Sequence, residues 1–141
     1  MKKDSFKKGE ILILIFSLVF TLNGCRKQKE KAYYENTNNY ITEDAVVDNI
    51  IYNEDQEHII FWLSNIDNAY QASSFIIRGS SAQTVLKNGV LEKIKIGDTI
   101  IFTSAPAYFG NGYFMPIVQL SMGDEMFLTF EEGYLNLIED K

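Results

Sequence analysis

A small, mainly β, closed architecture is the fold class that three features of this 141-residue sequence predict. Short apolar runs rich in β-branched and aromatic residues recur from residue 45 onward, separated by Gly, Asn, Asp and Pro turn residues. One stretch of helix chemistry interrupts them after the third run. Ten Phe, eight Tyr and one Trp supply bulk for a core, which matters because the single cysteine, Cys25, leaves no disulfide to staple the domain.

Ahead of that domain stands a leader. Lys2, Lys3, Lys7 and Lys8 precede the apolar run ILILIFSLVFTL at 11–22, and a basic region followed by a short apolar stretch and a small residue is the pattern of a secretory signal. As a helix this run rises about 18 Å, well short of the ~30 Å hydrocarbon core, which argues against an uncleaved span. It ends in Leu22-Asn23-Gly24-Cys25. Those four residues resemble the lipobox of bacterial lipoproteins. The resemblance implies that the Cys25 thiol receives a diacylglycerol, that a peptidase cuts before it, and that Cys25 heads a mature protein on the extracytoplasmic face of the cell membrane. It covers only the first 25 residues and implies nothing about the domain behind them. The expected organisation is a signal peptide at 1–24, the lipidated Cys25 with a flexible tether at 25–44, and a single β-barrel-like domain at 45–141.

Charge narrows the partners. The leader holds four of the 13 basic and two of the 19 acidic residues, so the remainder carries nine and 17, a net −8. Arg26, Lys27, Lys29 and Lys31 directly follow Cys25, and beyond them residues 32–141 carry a net −11. Nucleic acid is not an expected partner, because attraction to a phosphate backbone depends on clustered Lys and Arg. The basic neck suits anionic headgroups, at about 1 kcal/mol for each cation close to the surface.

Along the chain, 26–40 is charged and then rich in Asn and Thr without apolar periodicity, and it reads as the tether. The runs at 46–52 and 58–63 flank a polar interruption at 53–56 and form a hairpin. A third strand follows at 75–78. Ser80 and Gln83 have capping-box spacing and Gly89 stands after Asn88, which predicts a two-turn helix. Residues 90–96 alternate loosely into the Gly97-Asp98 turn, and 99–103 forms the next strand. The segment 104–116 lies between Pro106 and Pro116 and reads as a loop. Strands at 117–121 and 126–130 form a second hairpin, and 131–139 forms a helix weakened by Gly133. Five strands with one helix between the third and fourth, plus a C-terminal strand and helix, follow the order of an OB-fold, so the expectation is an OB-fold-like Greek-key barrel. The strand at 58–63 is apolar on both faces, which predicts that the C-terminal helix lies over it.

Motifs for chemistry are sparse. His58 is the only histidine, so a serine triad would have to be built on it, and beside Glu57 it reads as a surface residue. No cofactor motif and no calcium-loop spacing occurs. Gly110-Asn111-Gly112 lacks the helix that follows a phosphate cradle and reads as a tight turn. Around it stand Tyr108, Phe109, Tyr113 and Phe114, either a hydrophobic plug or a candidate binding loop, since aromatics are enriched where proteins meet partners. The expected function is a membrane-anchored binding or interaction module at the cell envelope, facing an envelope protein or a small ligand. The alternatives are an envelope enzyme using Glu131 or Glu132 with Asp124, and a purely structural envelope lipoprotein.

Overall fold

A computed structural model describes residues 27–66, 74–106 and 114–141. The chain divides into two compact units, Met1–Tyr33 and Tyr34–Lys141. Residues 27–35, expected to belong to a flexible tether, are helical. Strong helix formers account for this: Lys27 and Glu30 stand three apart, Lys31 and Glu35 four apart, with Gln28 and Ala32 between.

The second unit is mainly β. Six strands, β1 (Ile41–Asn53), β2 (His58–Ser64), β3 (Ser74–Arg78), β4 (Thr99–Ser104), β5 (Met115–Met122) and β6 (Glu125–Leu128), lie in the order β3-β2-β1-β4-β5-β6. All neighbours in that order are antiparallel, and a short parallel pairing of β3 with β5, Phe75 opposite Met115 and Ile76 opposite Pro116, closes five strands into a ring. Helix α1 (Gly79–Lys87) and the single turn α2 (Val90–Lys93) stand between β3 and β4, and α3 (Phe130–Ile138) follows β6. This is the OB-fold-like order that the alternation of runs predicts.

Strand alternation fills the ring. Ile59, Phe61 and Leu63 of β2 and Phe75 and Ile77 of β3 point inward and are buried, while Ile60, Trp62 and Ile76 point outward and are half-buried. In β1 the pattern changes phase. Ala45 and Val47 face the core before Asp48, and Ile50 and Tyr52 do so after it, because the register slips by one between Val47 and Asn49. Asp48 is the extra residue of a bulge, and its carboxylate accepts a hydrogen bond from Ser64 Oγ at 2.9 Å. The bulge lets one 13-residue strand pair with β4 through its first half and with β2 through its second. At the centre the rings of Phe75 and Phe102 meet edge to face, 4.9 Å between centroids.

Packing departs from the local sequence signals in three places. Ser80 does not cap α1: the N-cap residue is Arg78, without a side-chain cap bond, and the first amides reach across the fold, Gly79 N to Glu57 O and Ser80 N to Lys141 O. Tertiary carbonyls supply the acceptors that the Ser80 hydroxyl was expected to provide. The 90–96 segment holds a helical turn in place of alternation, closed by Lys95 N to Asp98 Oδ2 at 2.8 Å. The third is α3, which packs chiefly on β5 and beside α1 rather than over β2. Thr84 Oγ1 donates to Glu132 Oε1 at 2.5 Å and Asn136 Nδ2 to Ser81 Oγ at 3.1 Å. Gly133 makes this approach close enough that a Cβ would overlap the Val118 carbonyl oxygen.

Packed structure begins well before residue 45. Tyr34 is buried, a 3-10 turn follows at Thr37–Asn39, and Tyr40 sets its ring edge-on to Phe130 and Tyr134 of α3 at 5.5 and 5.9 Å. Two phenols tie the backbone down: Tyr40 OH donates to Tyr34 O at 2.7 Å and Tyr134 OH to Glu35 O at 2.8 Å. Residues 34–40 thus form a strap fixed to α3.

Candidate functional site

The outward face of β1, β2 and β3 gathers residues that the sequence scatters. Register places Ile51, Ile60 and Ile76 in one apolar row across the three strands. Asn53, His58 and Arg78 make the row on one side of it, and Asn49, Trp62 and Ser74 the row on the other. Ile51 is 46% exposed and Ile60, Trp62 and Ile76 are half-buried. An apolar stripe between two rows bearing hydrogen-bonding groups has the make-up of a contact surface, with an apolar centre and a polar rim. The signal for it in the sequence was the two-sided apolarity of β2, which was expected to lie under the C-terminal helix. That helix packs on β5 instead, with Gly133 at the contact, and Ile51 beside β2 stays 46% exposed.

A cleft of about 210 Å³ adjoins this face at the α1 end of the ring. It opens where β3 and β5 part below the Ile76–Pro116 pair. Ile76, Pro116 and Leu137 contribute apolar surface, and Glu57, Arg78 and Asn136 contribute polar groups of both charge signs. Glu57 and Asp140 hold left-handed backbone at its rim, with φ of 50° and 54°, a conformation that costs a non-glycine residue on the order of 1 kcal/mol. Such a cleft has donors and acceptors for a small polar ligand over an apolar base.

The residues singled out from sequence are dispersed. Phe114 precedes β5 and is 37% exposed, whereas Met115 beside it is buried. Tyr108, Phe109 and Tyr113 lie outside the described residues, as does Cys25. His58 stands opposite Asn53 and Arg78 in the sheet. Asp124 lies in the β5–β6 turn and Glu131 and Glu132 in the first turn of α3, all exposed, with Glu132 held by Thr84. Among the described residues no group of three or more His, Cys, Asp or Glu converges as metal ligands would, and no helix is long and apolar enough to cross a membrane. Comparison with protein-family models, with curated proteins and with solved structures gives no match.

Proposed function

We propose that this chain is a bacterial lipoprotein, anchored through Cys25 on the extracytoplasmic face of the cell membrane, whose β-ring domain is a binding module of the cell envelope. The observation that carries the reading is the leader ending in Leu22-Asn23-Gly24-Cys25, which resembles a lipobox and stands only a short basic neck away from a packed domain. Support for a binding role comes from the Ile51, Ile60 and Ile76 row between its polar flanks, with the cleft beside it. The net charge of −11 over residues 32–141 favours a neutral or cationic partner over a polyanion.

Anchoring and binding are tested separately. Metabolic labelling with a radioactive fatty acid should mark the wild-type protein, whereas Cys25→Ser should be unlabelled and retain its leader; equal labelling of the two would sink the anchor. For the binding face, a photo-crosslinking residue at Ile51 should yield a discrete adduct in intact cells that the same residue at Ile96, an exposed position after α2, does not. Identical adduct patterns from both positions would remove the case for a specific face.

A further inference from the structure

The cleft below the Ile76–Pro116 pair draws its charged groups from three places far apart in the sequence. Glu57 comes from the β1–β2 turn, Arg78 from the end of β3, and Asp140 from the residues after α3. His58 pairs with Arg78 in the sheet and Gly79 N donates to Glu57 O at 3.1 Å, so the first two positions adjoin. Ser80 N donates to Lys141 O at 3.1 Å, which holds the segment after α3, and Asp140 with it, against the start of α1.

Most polar groups around the cleft already have partners. The amides of Gly79 and Ser80 are taken by carbonyls, Asn136 Nδ2 donates to Ser81 Oγ, and the Lys141 ammonium is held by Glu139. Three charged groups are not committed in this way: among the described residues, the Arg78 guanidinium and the carboxylates of Glu57 and Asp140 make no ion pair or side-chain hydrogen bond. Both signs of charge thus line one small cleft without neutralising each other. A guanidinium offers a planar fork that matches a carboxylate, and two carboxylates can share the three N–H donors of an ammonium. Ile76, Pro116 and Leu137 add apolar surface in the same cleft. A cavity of ~150 Å³ takes benzene, so one of about 210 Å³ suits a molecule a few atoms larger, the size of a single amino acid rather than a longer peptide.

We infer that the cleft binds a free α-amino acid with an apolar side chain, its carboxylate on Arg78, its ammonium on Glu57 and Asp140, and its side chain against Ile76, Pro116 and Leu137. The inference rests on the reading of this domain as a binding module and gives the cleft a ligand class. A simple anion would leave the two carboxylates unanswered, and a simple cation would leave Arg78 so. A zwitterion answers both and, carrying no net charge, is not repelled by the net −11 of residues 32–141.

Equilibrium dialysis of radiolabelled L-leucine against the full chain in detergent micelles, with empty micelles as the blank, tests the assignment. The protein should retain leucine saturably. As unlabelled competitors, L-leucinamide lacks the carboxylate, N-acetyl-L-leucine lacks the ammonium and glycine lacks the apolar side chain. Each should compete about tenfold more weakly than leucine itself, or worse, for want of one charge-assisted contact or of the apolar contact. In Arg78→Gln, leucinamide and leucine should compete alike; in the double variant Glu57→Gln with Asp140→Asn, N-acetyl-leucine and leucine should. All three positions are exposed, so these changes leave the core untouched, and a melting curve checks that each variant is folded. The comparison of competitors on the wild-type chain decides the matter even if a variant fails. Leucinamide or N-acetyl-leucine competing as well as leucine overturns the zwitterion, and so does retention unchanged in both variants. Leucine not retained above the blank overturns the inference as well. In that case a discrete adduct from Ile51 keeps the binding module, resting on its β-sheet face, and loss of that adduct too would take the module with it.

Discussion

At Gly133 the residue's own helix propensity and its packing pull in opposite directions, and the magnitudes decide between them. Ala in a helix interior is favoured over Gly by about 1 kcal/mol. Here the added methyl would overlap the Val118 carbonyl oxygen, and backbone cannot swing aside as a side-chain tip can. Forcing a methyl into packed structure costs about 1–3 kcal/mol or more. Gly133→Ala should therefore lower the urea midpoint despite the better propensity, and a raised midpoint would show that α3 can lift off β5 at little cost. At Phe102, fully buried and edge-on to Phe75, truncation to Ala should cost about 3–5 kcal/mol in the same assay. Phe114, more than a third exposed, has less to lose; its replacement by Ser should shift the midpoint by no more than about 0.5 kcal/mol, and a loss as large as that at Phe102 would make it a core residue.

Among the elements, β1 depends on a single inserted residue. Because side chains alternate with a period of two, the chain before Asp48 and the chain after it would present opposite faces to the core without the bulge. Deleting Asp48 should leave Ile50 and Tyr52 inward in unbroken alternation but remove the bulge and its bond from Ser64, and with them the local bend where β1 passes from β4 to β2. The expected outcome is a lowered urea midpoint, and a deletion variant with wild-type melting would show that β1 makes both pairings as well without the bulge. The strap of residues 34–40 is held by weaker, separable contacts. Tyr40→Phe and Tyr134→Phe each remove one hydroxyl bond to backbone and keep the ring cluster, so each should cost about 0.5–1.5 kcal/mol. Hydrogen exchange read peptide by peptide should quicken across 34–40 with the ring strands still protected; unchanged exchange would mean that the rings alone hold the strap.

For the whole molecule, the position at which folding begins can be tested by truncation. A chain starting at residue 34 keeps the strap and all of β1 and should unfold cooperatively, with a midpoint unaffected by chelators or reductants. One starting at residue 45 loses the strap and the pairing of Ile41 to Asp44 with β4. It should melt lower by roughly 10 °C or more, since a few kcal/mol shifts a domain of this size by several degrees each. Equal melting of the two would return residues 34–44 to the role of a tether. What the sequence by itself determined are the features written in local chemistry: the acidic balance, the alternating strands, the helix after β3 stopped at Asn88 and Gly89, and hence the mainly β order of elements. Apolar periodicity and turn residues act over a few positions, so one chain suffices to read them. Only tertiary structure decided the rest. The carbonyls of Glu57 and Lys141 replace the Ser80 cap, the bulge at Asp48 shows only in the register against β2, and Glu35 and Tyr40 find partners on a helix ninety or more residues away. The apolar row has the same origin: Ile51, Ile60 and Ile76 belong to three strands that only the sheet register sets side by side.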